Sequence, residues 1–375
     1  MKVLITGSDG FLGKNLKLLL SERSDVEVLS FSRSNQMDQL PDMLYGVDYV
    51  YHFAGVNRPH DSKAFTTDNV DFTSFLARSV CQVSEATGRQ ITIIGASSVQ
   101  ALSDTPYGRS KLAAESTLRD AAQSRNVSVF IFRLPNIFGK WCKPNYNSVV
   151  ATFCYNISRD LPVQVNDPAA PLKLMYVDDV INCFVQLMDS GNSLSVPDIY
   201  LSSIPQYNTT VGELLSQIQS FKDSRSTLMI DRVGTGLVRA LYATYLSYLP
   251  TESFSYVIKQ YNDSRGIFAE MLKTPDCGQF SFFTVRPGIT RGGHYHNSKS
   301  EKFLVLKGRA LFKFRHMHSS QTHELVTTDR ISEIVETVPG WTHDITNIGS
   351  DEMIVMLWAN EVFDPKRSDT FACSV

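Results

Sequence analysis

The stretch 2-KVLITGSDGFLGKNLKLLLSER-23 decides the fold of the first half of this chain. KVLIT reads as a short buried strand, and FLGKNLKLLLSER carries apolar residues at helical spacing. Between them Gly7, Gly10 and Gly13 stand three apart. Glycines at a strand-to-helix turn let the backbone bend tightly and approach a pyrophosphate, which then rests on the helix N-terminus together with Phe11 and Leu12. A dinucleotide site is therefore expected at the first turn of the chain.

The same alternation runs outward. VEVLSF (26–31), VDYVYHFAG (47–55), ITIIGASS (91–98) and VSVFIFRLP (127–135) read as further strands, with a helix at FTSFLARSVCQVSEATG (72–88). Strands alternating with helices predict an α/β Rossmann-type, doubly wound parallel sheet. The region 191–250 is mixed, with helices expected around VGELLSQIQSFK (211–222) and LVRALYATYLSYL (237–249). After Pro250 the character changes to short strand-like runs such as FSFFTV, KFLVLKG, ALFKF and MIVMLWANEVF, separated by Gly, Pro, Asn and Asp. These predict an all-β jelly-roll barrel. Two domains are expected, 1–250 and 263–375, joined through 250–262.

Composition narrows the function. With 36 basic and 38 acidic residues the net charge is -2, which offers no broad field to nucleic acid or an anionic membrane. Phosphate recognition must then come from a local site. Six scattered cysteines without C-x-x-C spacing suit buried free thiols in a reducing compartment. No run reaches the roughly 18 apolar residues of a membrane span, and the N-terminus has no signal-peptide pattern. A cytoplasmic location without membrane contact is expected.

Two constellations carry chemistry. The second strand ends in SFSRS, where an NAD site usually has an acidic residue. Ser32 and Arg33 stand there instead and suit a 2′-phosphate, so NADPH is the expected cofactor. Tyr107 and Lys111, in PYGRSK, lie one helical turn apart. The lysine ammonium is expected to lower the phenol's pKa towards neutrality. A serine at the end of the preceding strand, Ser97 or Ser98, can hydrogen-bond the substrate oxygen.

In the second half, GITRGGHYHNSKSEKFLVLKG fits G-x5-H-x-H-x4-E-x6-G. His294 and His296, two apart on a strand, share a face, Glu301 opens the next strand, and PGWTHDITN supplies His343. Three imidazoles and one carboxylate converging in a barrel predict a first-row divalent metal site. A second group, His316, His318 and His323, reads as hairpin surface.

On HFAG (52–55), Asn69, RLPNIFG (133–139), YVDDV (176–180) and the Tyr107–Lys111 pair, residues 1–245 resemble the extended short-chain dehydrogenase/reductases. That resemblance implies a Ser98–Tyr107–Lys111 triad, with Ala54 and Gly55 at the cofactor. It also implies Arg133, Asn136 and the stretch KWCKPNYN, including Lys143, on the side of a nucleotide-sugar substrate. The His/Glu pattern is similar to the cupin motif pair over 263–375.

Taken whole, HFAGVNRP, TPYGRSK, RLPNIFGKWCKPNYNSV and GGHYHNSKSEKFLVLKG resemble the bifunctional CapF, WbjC or FnlB type of UDP-N-acetyl-L-fucosamine synthesis for capsules and O-antigens. The resemblance implies that the cupin inverts C3 of a UDP-2-acetamido-2,6-dideoxy-4-hexulose. The reductase half then yields UDP-2-acetamido-2,6-dideoxy-L-talose with NADPH. It also implies zinc in the cupin and a homodimer. The base at C3 is not named by any motif; Tyr295, Lys302 and Asp344 are candidates by position. Three other readings stay open: a sugar-nucleotide dehydratase or epimerase, a non-catalytic cupin, and a cupin dioxygenase fused to a reductase.

Overall fold

The computed structural model describes residues 1–58, 61, 63–191, 204–319 and 321–375; Pro59 of the quoted HFAGVNRP run lies outside them. They form two compact units, 1–218 with 239–249, and 219–238 with 250–375.

The first unit is built on a parallel sheet of β1 (Lys2–Thr6), β2 (Glu27–Phe31), β3 (Tyr49–His52), β4 (Ile91–Ser98) and β5 (Val127–Leu134), in the order β2-β1-β3-β4-β5. Strands covered on both faces need apolar side chains throughout, and Val3, Leu4, Ile5, Val50, Tyr51, Ile93 and Ile94 are fully buried. Helix Phe72–Thr87 turns Leu76, Ala77, Val80 and Val83 into one core with Leu4, Val50 and Ile93, and ends where Gly88 takes a left-handed φ of 65°. Each such fully buried aliphatic side chain contributes about 1.5–3 kcal/mol. The chain leaves β1 for β2 on one side, while β3 lies on the other. The crevice at the carboxyl ends of β1 and β3 is therefore the switch point where such sheets bind ligands. A small mixed sheet follows, from β6 (Asn136–Phe138), β7 (Pro171–Tyr176) and β8 (Tyr207–Thr210).

The second unit is antiparallel. One sheet orders β16 (Ile334–Glu336), β13 (Glu301–Lys307), β18 (Met353–Ala359), β11 (Gln279–Val285), β10 (Gly266–Lys273) and β9 (Gln260–Asp263). The other orders β15 (Thr322–Thr328), β14 (Arg309–His316), β17 (Trp341–Asn347), β12 (Thr290–Tyr295) and β19 (Phe371–Ala372). Inward residues of both sheets, among them Phe283, Phe303, Val355, Phe312, Phe314 and Ile345, share one core. Buried Asn347 donates to the carbonyls of Val285 and Asp351, at 2.8 Å each, which ties a turn to the end of β11. β9 starts inside the segment read as a connector, because the tight turn after Asp263 lets Gly266 pair back on it.

Candidate active sites

At the end of β1, Gly7 has a φ of 68° and donates to Phe31 O at 2.9 Å. A Cβ on Gly7 would lie 2.7 Å from Ala54 N, and one on Gly13 would lie 2.3 Å from Gly7 O. Both contacts demand glycine. Gly10 caps helix Phe11–Ser21 without a side-chain hydrogen bond, and no acidic residue occupies its first turn. The positive end of the helix is thus kept for an outside anion. Gly7, Gly10, Phe11, Leu12 and Gly55 line a cavity of about 1170 Å³ that also reaches Ser98, Tyr107, Lys111, Asn136 and Lys143. Ser32 and Arg33 lie beyond its lining, at the end of β2. There the Ser32 hydroxyl meets that of Ser34, and Arg33, with its side chain 85% exposed, lies 3.4 Å from Asp68.

Helix Pro106–Ala121 starts with Thr105 as cap, its Oγ1 accepting from Gly108 N at 3.0 Å, and with Pro106 in the first turn. It carries Tyr107, Lys111 and Glu115 on one face. Lys111 Nζ donates to Ala96 O at 3.2 Å. Ser98 hydrogen-bonds Tyr107, whereas the Ser97 hydroxyl donates to Glu115 at 2.5 Å. The two serines therefore have separate partners, and the one at the phenol is Ser98. Asn69 braces the loop after β3, accepting from Val56 N at 2.7 Å and donating to Val56 O at 3.0 Å.

Two expectations need correction. The Tyr107 phenol is not lowered; burial raises it above its ordinary value, and the Ser98 hydrogen bond only partly opposes that. The lysine's reach ends on a backbone carbonyl, so desolvation dominates. Lys111 itself is pushed down to about 8 by burial, with Glu115 acting in the opposite direction. Arg133, expected on the substrate side, instead gives its guanidinium to Glu115, with Nε at 2.9 Å and Nη2 at 2.6 Å. The side chains are 13% and 1% exposed, so the pair is a buried brace that also holds Ser97. Glu115 was missed, although its position four residues after Lys111 was legible.

In the second unit, the ligand atoms of His294, His296, Glu301 and His343 all lie within 4.8 Å of one another. His294 and His343 are cross-strand partners on β12 and β17, and Glu301 opens β13 across the barrel. Glu301 Oε2 is 3.3 Å from His296 Nε2 and 3.5 Å from His343 Nε2, and its Oε1 is 2.8 Å from Lys299 Nζ. Burial works against the carboxylate, but its close contacts with the His296 and His343 imidazoles and the Lys299 charge hold it well below the usual range. Burial, then the neighbouring His343, lowers His294 to about 4, leaving it a neutral lone-pair donor. Both ring nitrogens of His343 are buried without a hydrogen-bond partner. Buried polar atoms left in this state fit a divalent metal as the missing partner.

Of the three position-based candidates for a C3 base, Tyr295 and Lys302 are engaged elsewhere, and Asp344 has a buried carboxylate oxygen without a hydrogen-bond partner. Tyr295 stacks on Phe371 at 5.3 Å, and exposed Lys302 pairs with Glu336. Strand alternation turns Asp344 away from the His343 face. Lys299, buried beside Glu301, was not anticipated, since nothing in a polar turn sequence signals burial. His316 accepts from the backbone of His318 and Ser319 in the hairpin turn and stays outside the cluster.

Comparison with known proteins agrees with both halves. Residues 3–201 match the NAD dependent epimerase/dehydratase family and residues 261–371 the polysaccharide biosynthesis C-terminal domain. The chain is 52% identical, over all of its length and 99% of the relative's, to the UDP-2-acetamido-2,6-beta-L-arabino-hexul-4-ose reductase of Pseudomonas aeruginosa. It superposes on the capsular polysaccharide assembling protein CapF of Staphylococcus aureus with a TM-score of 0.90 and 39% identity, covering both chains fully. The UDP-glucuronic acid 4-epimerase of Bacillus cereus shares the fold over part of the chain, with a TM-score of 0.54, 17% identity, and coverage of 66% of this chain and 99% of that one.

Proposed function

This chain belongs to the NAD dependent epimerase/dehydratase family in its CapF-type form, and on that premise we propose that it converts a UDP-2-acetamido-2,6-dideoxy-4-hexulose in two steps. The cupin, 263–375, inverts C3. The reductase domain, 1–250, then reduces C4 with NADPH to give UDP-2-acetamido-2,6-dideoxy-L-talose, for UDP-N-acetyl-L-fucosamine and capsule or O-antigen synthesis. A cytoplasmic homodimer with zinc in the cupin goes with the same reading. The observation that carries it is one chain holding both a Ser98–Tyr107–Lys111 group at a dinucleotide cavity and a buried cluster of three imidazoles and a carboxylate.

Gly7, Gly10 and Gly13 with the helix N-terminus would hold the pyrophosphate, Ser32 and Arg33 the 2′-phosphate, and the bound NADPH supplies the hydride. Tyr107, kept a neutral phenol by burial, gives its proton to the C4 oxygen as the carbonyl becomes an alcohol. Ser98 donates to the same oxygen, and the Lys111 ammonium, one turn on, steadies the phenolate left behind. Asn136 and Lys143, on the cavity wall, are positioned for the sugar nucleotide. His294, His296, Glu301 and His343 would hold the metal, which supplies Lewis-acid polarisation of the C4 carbonyl. Removal of the C3 proton and delivery of a solvent-derived proton to the other face invert that carbon. C3 is acidic only while C4 is a ketone, so inversion precedes reduction.

The test is NMR identification of the product formed from the UDP-4-keto sugar and NADPH. The expected product has a C4 hydroxyl and inverted C3, and Tyr107→Phe slows its formation by about 10²–10⁴-fold. Absence of NADPH oxidation, or a product with the original C3 configuration, overturns the reading.

A further inference from the structure

We infer that the C-terminal segment Asp369–Cys373 is a strap built into the metal centre, with Asp369 as the positioning residue that aims His296 and holds the ligand loop. The inference rests on the reading of the His/Glu cluster as a metal site.

The loop between β12 and β13 turns three successive backbone N–H groups onto one carboxylate. Asn297 N, Ser298 N and Lys299 N donate to Asp369 at 3.0, 2.7 and 2.8 Å, and Ser298 Oγ adds a fourth bond at 3.0 Å. These residues separate His296 from Glu301, so the carboxylate sets the path between two ligands. The main-chain carbonyl of the same Asp369 lies 2.5 Å from His296 Nδ1. A carbonyl oxygen only accepts, so Nδ1 carries the proton and Nε2 is left with its lone pair. Nε2 is the atom that faces Glu301 in the cluster. One residue thus fixes both the tautomer of a ligand and the backbone that follows it.

The strap continues along the ligand strand. Phe371 pairs with Tyr295 and Ala372 with His294, and Cys373 N donates to Gly293 O at 2.9 Å. Thr342, next to His343, donates its hydroxyl to Cys373 O at 2.5 Å. β12 therefore has β17 on one edge and the strap on the other. Were the strap to lift, His296 would lose its orienting acceptor and the H-x-H strand would become an edge. A metal that prefers the aimed arrangement favours the closed strap, and a closed strap favours the metal by the same factor.

The test uses the full chain and zinc alone. Zinc affinity is measured by competition with a chromophoric chelator for wild type, Asp369→Ala and Asp369→Asn. Hydrogen exchange is followed over 297–299 and 369–373 with and without zinc. Asp369→Ala is expected to weaken zinc by about 10–100-fold, the usual effect of losing a group that orients a ligand. Asp369→Asn, which keeps one acceptor oxygen, loses less and carries the test if the alanine variant does not fold. In wild type, zinc slows exchange in both segments. Variants that bind zinc within about twofold of wild type, or a strap whose exchange ignores zinc, overturn the inference alone. Wild type that takes up no zinc overturns the metal reading and the strap with it.

Discussion

The reductive half of the reaction is expected to fail as the pH rises through the Lys111 titration, and the structure sets where. Burial disfavours the ammonium and pushes Lys111 from its ordinary 10.5 down to about 8, the Glu115 charge pulling the other way. The charged form is the one that steadies the Tyr107 phenolate, so activity is present below that value and lost above it. The charged fraction falls from about nine-tenths at pH 7 to about one-tenth at pH 9, a drop of about tenfold. Tyr107 is raised above its own ordinary value, outside this window, and adds no second limb. The assay is kcat/KM for NADPH oxidation between pH 6 and 9.5, which reports groups of the free enzyme. Lys111→Arg keeps its charge throughout; its lower activity should show no such limb. A profile flat to pH 9.5 in wild type, or the same limb in Lys111→Arg, would refute the reasoning.

Two further outcomes follow from the first unit. Glu115→Leu removes the carboxylate that the buried Arg133 guanidinium grips and should destabilise the unit by about 3–5 kcal/mol, while adding Arg133→Met recovers most of that; chemical denaturation followed through the NADPH-protected transition measures both, and equal losses in the single and double variants contradict the brace. Gly13→Ala forces a Cβ to within 2.3 Å of Gly7 O and should weaken NADPH binding at least about tenfold by fluorescence titration, with an unchanged Kd as the contrary result.

How much of this was legible in the sequence depends on how local the cause was. Gly7, Gly10 and Gly13 answer to a turn of a few residues, and His294 and His296 to strand alternation, so their spacing alone places them. Glu301 and His343 were legible because the motif fixes their distance from turns that the fold preserves. The Arg133 assignment failed because its partner, Glu115, sits on a different element and meets it only in three dimensions. The phenol's direction failed for a related reason: the Y-x-x-x-K spacing shows the lysine but not the desolvation that outweighs it. Lys299 and Asp369 were invisible for the same cause. A buried lysine and a carboxylate reaching back about seventy residues leave no periodic mark in a polar turn.

The most direct measurement of the two-site account is deuterium incorporation at C3 in heavy water, with the UDP-4-keto-6-deoxy-N-acetylhexosamine and NADPH, for wild type, Tyr107→Phe and His294→Ala. The account predicts deuterium at C3 with NADPH oxidation in wild type, deuterium without oxidation in Tyr107→Phe, and no deuterium in His294→Ala. Wild-type product without deuterium at C3, or undiminished exchange in His294→Ala, would contradict it.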